Sequence, residues 1–198
     1  MQTSTVSDEE LVVQTGAGDR RSAAELVRRF SPRILGLAQR MLNNMADAED
    51  VVQEVFLRIW RVSPKWETGK AKFSTWVHRV AMNICLDKLR KPKMADADNA
   101  PEPADESATP AKTLEEQQRA EQVQAALADL PERQRAAIVL CYYQDVTNIE
   151  AANILEISVD ALESLLSRGR RRLKTNLFAM KEDLLDQSAQ GRSSGFRE

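Results

Sequence analysis

Side chains of one chemical kind collect at two places in this chain. One is a dense run of cations late in the sequence, Arg168 to Lys174. The other is KWETGKAKF, residues 65–73, with three lysines, a glycine and two aromatic residues, followed closely by Trp76. Cations beside aromatic rings are what a single nucleic-acid strand requires, because phosphates take the charge and every base offers a face for stacking. Cations on the later part of a helix that follows a short helix and a turn suit duplex DNA: early residues meet base edges and later ones meet phosphates. Groups for covalent chemistry are missing. There is no Gly-rich phosphate loop and no nucleophile with a companion base, and His78 is the single histidine. With Cys85 and Cys141 it cannot furnish a usual structural zinc site, so no metal and no cofactor is expected, and both thiols read as buried and reduced.

Helices must position these groups. Every periodic segment reads as helix, which predicts an all-α fold of two small helical domains joined by a flexible linker. The expected helices are 8–16, 20–30, 32–43, 48–62, 75–91, 113–128, 132–144, 148–155 and 159 to about 180. Starts are signalled by Ser7 with Glu10, Asp47 with Asp50, Thr113 with Glu116, Asp129 with Glu132 and Thr147 with Glu150, each a capping acceptor three residues before an acid. Ser31-Pro32 offers a further start, with proline at the first helical position. Between them PKMADADNAPEPADESATPA has almost nothing to bury and cannot offset its own ordering entropy. The expected divisions are therefore a first domain at 1–92, a linker at 93–112, a second domain at 113–180 and a tail at 181–198.

The net charge of -2 conceals this division. Residues 1–92 carry 15 basic and 11 acidic side chains, 93–116 carry 2 and 7, and 117–198 carry 11 and 12. A hydrophobic content of 42% with 29% charged residues belongs to a soluble globular protein. No apolar stretch approaches the roughly 20 residues that span a bilayer, and Met1 to Glu10 lacks the form of a signal peptide. A cytoplasmic location is expected.

At 100° per residue the helix from 159 separates cleanly. Leu162, Leu165, Leu166, Gly169 and Leu173 share one face; Asp160, Glu163, Ser164, Ser167, Arg168, Arg171 and Lys174 spread over the other. An ordinary solvated helix would show such a face too. The short helix NIEAANIL before it, the turn EIS, the small Ala152 at the crossing and the capping Ser158 together specify a helix-turn-helix. Glu156 holds the turn position where glycine is usual. In the first half, Trp76, Arg79, Asn83, Asp87 and Arg90 fall within an arc of roughly 80° on one helix. Helix 48–62 turns Val52, Val55, Phe56 and Ile59 inward, and sets Asp50, Gln53, Glu54, Arg58 and Arg61 around an outward Leu57, a face suited to a protein contact.

Taken together, these residues resemble the extracytoplasmic-function sigma factors. DAEDVVQEVFLRIW is similar to the family's region 2 helix for the polymerase β′ clamp, FSTWVHRVAMNICLDKLRK to its promoter-melting helix, and LPERQRAAIVL with the helix-turn-helix to region 4. The resemblance covers about 20–91 and 113–177. It implies that Asp50, Gln53, Glu54, Leu57 and Arg58 meet the clamp helices. Trp76, Arg79 and Asn83 would handle the melted −10 strand, with a base flipped into the loop that carries Lys70, Lys72 and Phe73. Glu163, Ser164, Ser167 and Arg168 would read the −35 duplex, with Arg171 and Lys174 on its phosphates. The recognition helix departs from many relatives by placing Glu163 where they have a basic residue. The implied partners are core RNA polymerase (β′ clamp helices and β flap), promoter DNA and an anti-sigma factor. The rivals are a ligand- or phosphorylation-controlled repressor or activator, an enzyme, and an adaptor that binds polymerase without melting DNA.

Overall fold

The computed structural model describes residues 6–69, 71–90, 114–144 and 146–193, with the side chains of 114, 115, 117 and 180–193 excepted. The proposed linker and the Thr113 cap lie outside the described residues. Those described are helical without a strand: α1 (Asp8–Gly16), α2 (Arg20–Leu42), α3 (Met45–Val62), a 3-10 turn at Ser63–Lys65, α4 (Phe73–Arg90), α5 (Leu114–Ala128), α6 (Glu132–Tyr143), α7 (Asn148–Leu155) and α8 (Val159–Ser193).

In the first group of four, α2 is the axis. Its helix runs without interruption through Pro32, where the sequence suggested an end and a new start. Proline removes one backbone donor and crowds the preceding turn. The stripe Leu26, Phe30, Ile34, Leu37 and Met41, all fully buried, keeps one helical phase on both sides of it. Burial of that stripe overrides the local preference. Asp19 caps α2 by accepting from the Arg21 and Ser22 N–H groups, both at 3.1 Å, and Asn43 ends it in the left-handed conformation, φ 53°. The next helix begins three residues earlier than its sequence signal: Asn44, not Asp47, is the N-cap of α3, accepting from Asp47 N at 2.9 Å. Its inward face is Ala48, Val51, Val55, Phe56 and Ile59, while Val52 is only half-buried. α1 carries the expected capping box between Ser7 and Glu10.

The second group closes on α6, whose Ala136, Ala137, Ile138, Val139 and Leu140 are all buried. Its N-cap is Pro131 with no side-chain bond, so the expected Asp129 cap is absent. Gly169 of α8 faces Ile138; a Cβ there would stand 3.1 Å from Ile138 Cγ1, which explains glycine within a helix. Thr147 and Glu150 form the capping box of α7. Glu156 then adopts φ 55°, a conformation that costs a residue with a Cβ about 1 kcal/mol relative to glycine. Ile157 N donates to Ala152 O at 3.0 Å, Ala152 is buried at the crossing, and Ser158 Oγ accepts from Ala161 N at 3.1 Å to start α8. Where the sequence suggested an end near 180, the backbone of α8 continues to Ser193.

The two groups are packed on one another, α2 against α5 and α6, and α4 against α7. Buried Arg135 of α6 joins them: it donates to the carbonyls of Met41 in α2 and of Ala128 and Leu130 in its own group. Burial pulls its pKa below the usual arginine value, against the pull of nearby Glu132 and Asp129. Gln124 donates to Gln39 O at 2.8 Å, and the Arg40 guanidinium lies 4.3 Å from the Tyr143 ring centre. His78, buried in α4, bonds Ser74 O through Nδ1 at 2.8 Å and sets Nε2 3.2 Å from the Gln144 amide. Its pKa is lowered by burial, which outweighs those two contacts.

Candidate nucleic-acid interface

α4 presents the narrow stripe that the sequence suggests. Arg79, Asn83, Asp87 and Arg90 are exposed and Trp76 is half-buried. The start of α4 is held from α1, where the Glu9 carboxylate accepts the Phe73 N–H at 3.1 Å. Nothing in the sequence pattern pairs these two residues. Phe73 does not belong to the exposed surface and corrects the expectation placed on it: its ring is fully buried. It lies edge-on to Phe30 at 5.4 Å and to Trp66 at 5.1 Å between ring centres, and is stacked at 6.0 Å on Trp76. The apolar surface of α2 reaches this end of α4 and takes the ring. Trp76 thus has one side against Phe73 and Trp66 while its rim lines a cleft toward α7. Lys72 is exposed beside it, and Lys70 lies outside the described residues.

Across that cleft stand two acids. Lys72 Nζ is 2.7 Å from Glu150 Oε1, and Arg79 pairs with Glu156. The hydrogen bond from Lys72, with further donors from Thr147, holds the Glu150 carboxyl at about 2. Glu150 in turn raises the pKa of Lys72.

The outer face of α3 is a separate surface. Asp50, Gln53, Leu57 and Arg58 are exposed, Leu57 by 49%, and Glu54 is half-buried and bonded to Arg58 at 2.9 Å. Asp50 is engaged as well: Lys88 of α4 lies 2.6 Å from Asp47 and 3.2 Å from Asp50. Burial works against the charged form of Lys88, but these two carboxylates outweigh it and raise its pKa. Trp60, which sequence reasoning passed over, is part of the same exposed face, its ring 5.6 Å from that of Phe56.

On α8, Leu162, Leu166 and Gly169 are buried, while Glu163, Ser164, Ser167, Arg168, Arg171 and Lys174 are all exposed, as the helical phase requires. Arg168 donates back to Ser164 O at 3.2 Å, and the Lys174 ammonium sits 5.7 Å from the Phe178 ring centre. A helix that shows serines and acids in its first two turns and arginines beyond them can present base-edge partners ahead of phosphate partners. Cys85 is buried, which pushes its thiol up to about 12, whereas Cys141, also expected to be buried, is only half-buried; its partial burial still raises its thiol, so neither cysteine is poised to react. Among the described residues no three His, Cys, Asp or Glu side chains gather as a metal site, and no helix is long and apolar enough to cross a membrane.

Comparison with known proteins places the fold and the two helical groups in a family. Residues 26–93 match the family model of Sigma-70 region 2, and residues 120–173 match that of Sigma-70 region 4. The ECF RNA polymerase sigma factor SigW of Bacillus subtilis is 30% identical over 84% of this chain and 94% of its own length. SigM of Mycobacterium tuberculosis is 32% identical, over 84% of this chain and 83% of its own. SigE of Mycolicibacterium smegmatis is 33% identical, but the matched region spans only 60% of that longer protein. Among solved structures, CnrH in complex with the cytosolic domain of CnrY superimposes with a TM-score of 0.67 at 24% identity, covering 87% of this chain and 97% of that one. RpoE from Bartonella quintana, solved with the anti-sigma factor NepR, gives 0.63 at 22% identity, covering 78% and 95%.

Proposed function

The chain belongs to the extracytoplasmic-function RNA polymerase sigma factors, and from that premise we propose that it binds core polymerase and directs initiation at promoters with a particular −10 and −35 element. The observation that supports this reading is the presence, on one chain, of two surfaces of different kinds, each of a chemistry suited to nucleic acid. The α4 stripe has an aromatic rim with flanking cations, suited to a single strand. The α8 face has the layout of a duplex reader. The outer face of α3, with Asp50, Gln53, Glu54, Leu57 and Arg58, would dock on the β′ clamp helices, and the α5–α8 group would meet the β flap.

No covalent step is involved, so the chain acts as a positioning factor and not as an enzyme. Binding to polymerase would set α8 in the −35 major groove and α4 beside the −10 element. Taking a base out of the stack costs a few kcal/mol, and stacking it on an aromatic ring returns about 1–3 kcal/mol. Opening is then favourable only where the extruded bases suit the surface around Lys72, Trp76, Arg79 and Asn83. Such a factor works in the cytoplasm, where polymerase and promoter are. Because the similar CnrH and RpoE structures were solved with CnrY and NepR, a protein partner of the anti-sigma kind is proposed as the control. In vitro transcription on a promoter library with purified core polymerase tests the whole reading. Selective run-off products that depend on the added chain are expected; core binding without initiation would leave only an adaptor.

A further inference from the structure

We propose that Glu9 is a positioning residue for strand capture, and that α1 is a brace holding both ends of the aromatic loop that presents the Trp76 rim. This inference rests on the reading of α4 as the surface that captures the melted strand. α1 lies outside residues 26–93, the segment that matches Sigma-70 region 2. α4 begins without a local cap: the residue before Phe73 is Lys72, whose ammonium only donates and cannot accept from a helix N-terminus. A Ser, Asp or Asn there would satisfy the helix but remove the cation beside the stacking rim. The Glu9 carboxylate meets the need from outside the helix. It accepts the Phe73 N–H, one of the donors that a helix start leaves unpaired, at 3.1 Å.

Glu9 can hold that donor because α1 is itself fixed. Asp8, Glu9 and Glu10 are consecutive, and each carboxylate has a different partner. Asp8 pairs with Arg29 of α2 at 2.8 Å, and Arg29 also donates to Val6 O at 2.9 Å. Glu10 closes the capping box on Ser7. Leu11 and Val12 are buried, and Gln14 Oε1 accepts from the Ser22 hydroxyl at 2.6 Å. Glu9, half-buried, is the acid that reaches α4.

The far end of α1 meets the other end of the loop. Gly16 lies so close to the Ser63 carbonyl that a Cβ there would overlap it, and the same carbonyl accepts the Trp66 N–H at 3.2 Å. The helix rises about 10 Å between Glu9 and Gly16. α1 thus touches the backbone from which Trp66 hangs and the backbone from which Phe73 hangs. Those two rings meet edge-on at 5.1 Å, and both pack on Trp76, at 5.7 and 6.0 Å between centres. With the Glu9 bond broken, the first turn of α4 frays, and Lys72 and Trp76 spend less time in the arrangement a strand can use. Apparent strand affinity falls by the same fraction.

The test compares Glu9→Ala, Glu9→Gln and Trp76→Ala in the full chain. Glutamine keeps an oxygen that can accept the Phe73 N–H and loses the charge; alanine loses both. Hydrogen exchange of the Phe73 amide is followed by NMR in the free chain. Closed-complex affinity, and opening rate by permanganate reactivity, are measured with core polymerase on a promoter that the parent chain selects from the library. Glu9→Ala should release the Phe73 amide and slow opening about fivefold, the factor that a lost helix cap commonly carries, with closed-complex affinity unchanged. Glu9→Gln should keep the amide protected and open at the parent rate, and Trp76→Ala should slow opening. The proposal is overturned if the amide stays protected in Glu9→Ala, or if it is released and opening is not slowed. It also fails if closed-complex affinity falls in step with opening, as a general loss of folding requires. Equal slowing by alanine and glutamine assigns the effect to charge and overturns the positioning role. Normal opening by Trp76→Ala refutes the reading of α4 itself, a result separate from every outcome at Glu9.

Discussion

Phe73 and Trp76, three residues apart on α4, are expected to respond in opposite ways to truncation. Phe73 is wholly buried, with ring partners in Phe30, Trp66 and Trp76 at centre distances of 5.4, 5.1 and 6.0 Å. Phe73→Ala leaves a cavity that α2 and α4 cannot close without moving, and such changes cost about 3–5 kcal/mol. Aromatic pairs add about 0.5–1.5 kcal/mol each beyond area burial, which places this site in the upper half of that range. A loss near 4 kcal/mol is a large fraction of the roughly 5–15 kcal/mol that holds a domain together. At about 4–8 °C per kcal/mol for a group of this size, the midpoint should fall by at least about 15 °C. Trp76 is half-buried, so Trp76→Ala should cost only about 1–2 kcal/mol while removing the stacking rim that the melted strand would use. Urea unfolding followed by circular dichroism reads the first quantity, and permanganate footprinting of open promoter complexes reads the second. The reasoning fails if Phe73→Ala unfolds within 1 kcal/mol of the parent but cannot open a promoter, or if Trp76→Ala opens promoters normally.

Three further outcomes follow from the surfaces. Gln53→Ala with Leu57→Ala should weaken binding to core polymerase by tenfold or more with helicity unchanged, since both side chains point outward from α3; equilibrium binding of labelled chain to core checks this. Asn83→Ala should leave stability within about 0.5 kcal/mol, as exposed changes usually do, yet slow open-complex formation in a stopped-flow assay. On α8, Arg168→Ala should cost about 1–3 kcal/mol and relax preference at one or two −35 positions, whereas Lys174→Ala should weaken all promoters alike and lower the salt slope by about one unit.

How much of this was legible in the sequence depended on distance along the chain. The capping boxes at Ser7 and Thr147 and the Ser158 cap rely on contacts three residues apart, and each forms as the pattern suggests. The division of α8 into a buried and an exposed face follows from helical phase alone. Pro32 was misleading because its local effect is overruled by the buried stripe on either side of it. Phe73 was misleading because it closes a lysine-rich loop, while its burial is decided by Phe30, far earlier in the chain. The pairing of Lys72 with Glu150 and of Arg79 with Glu156 joins residues nearly eighty positions apart. No periodicity encodes such a pair. The one local hint was the carboxylate at the left-handed turn, which reads as a departure from the usual glycine until its partner on α4 is seen.

The division of labour along α8 has an evolutionary consequence. Leu162, Leu166 and Gly169 carry the packing of the helix, while the side chains proposed to read bases stand wholly outside the core. Substitutions at Glu163, Ser164, Ser167 or Arg168 should therefore shift stability by less than about 0.5 kcal/mol. If these side chains read bases as proposed, a duplicated copy of this chain could change its promoter address one residue at a time, with no intermediate on that path less well folded than its parent. On that reading, paralogues would diverge in the genes they serve while keeping a common scaffold, and with it a common claim on the polymerase.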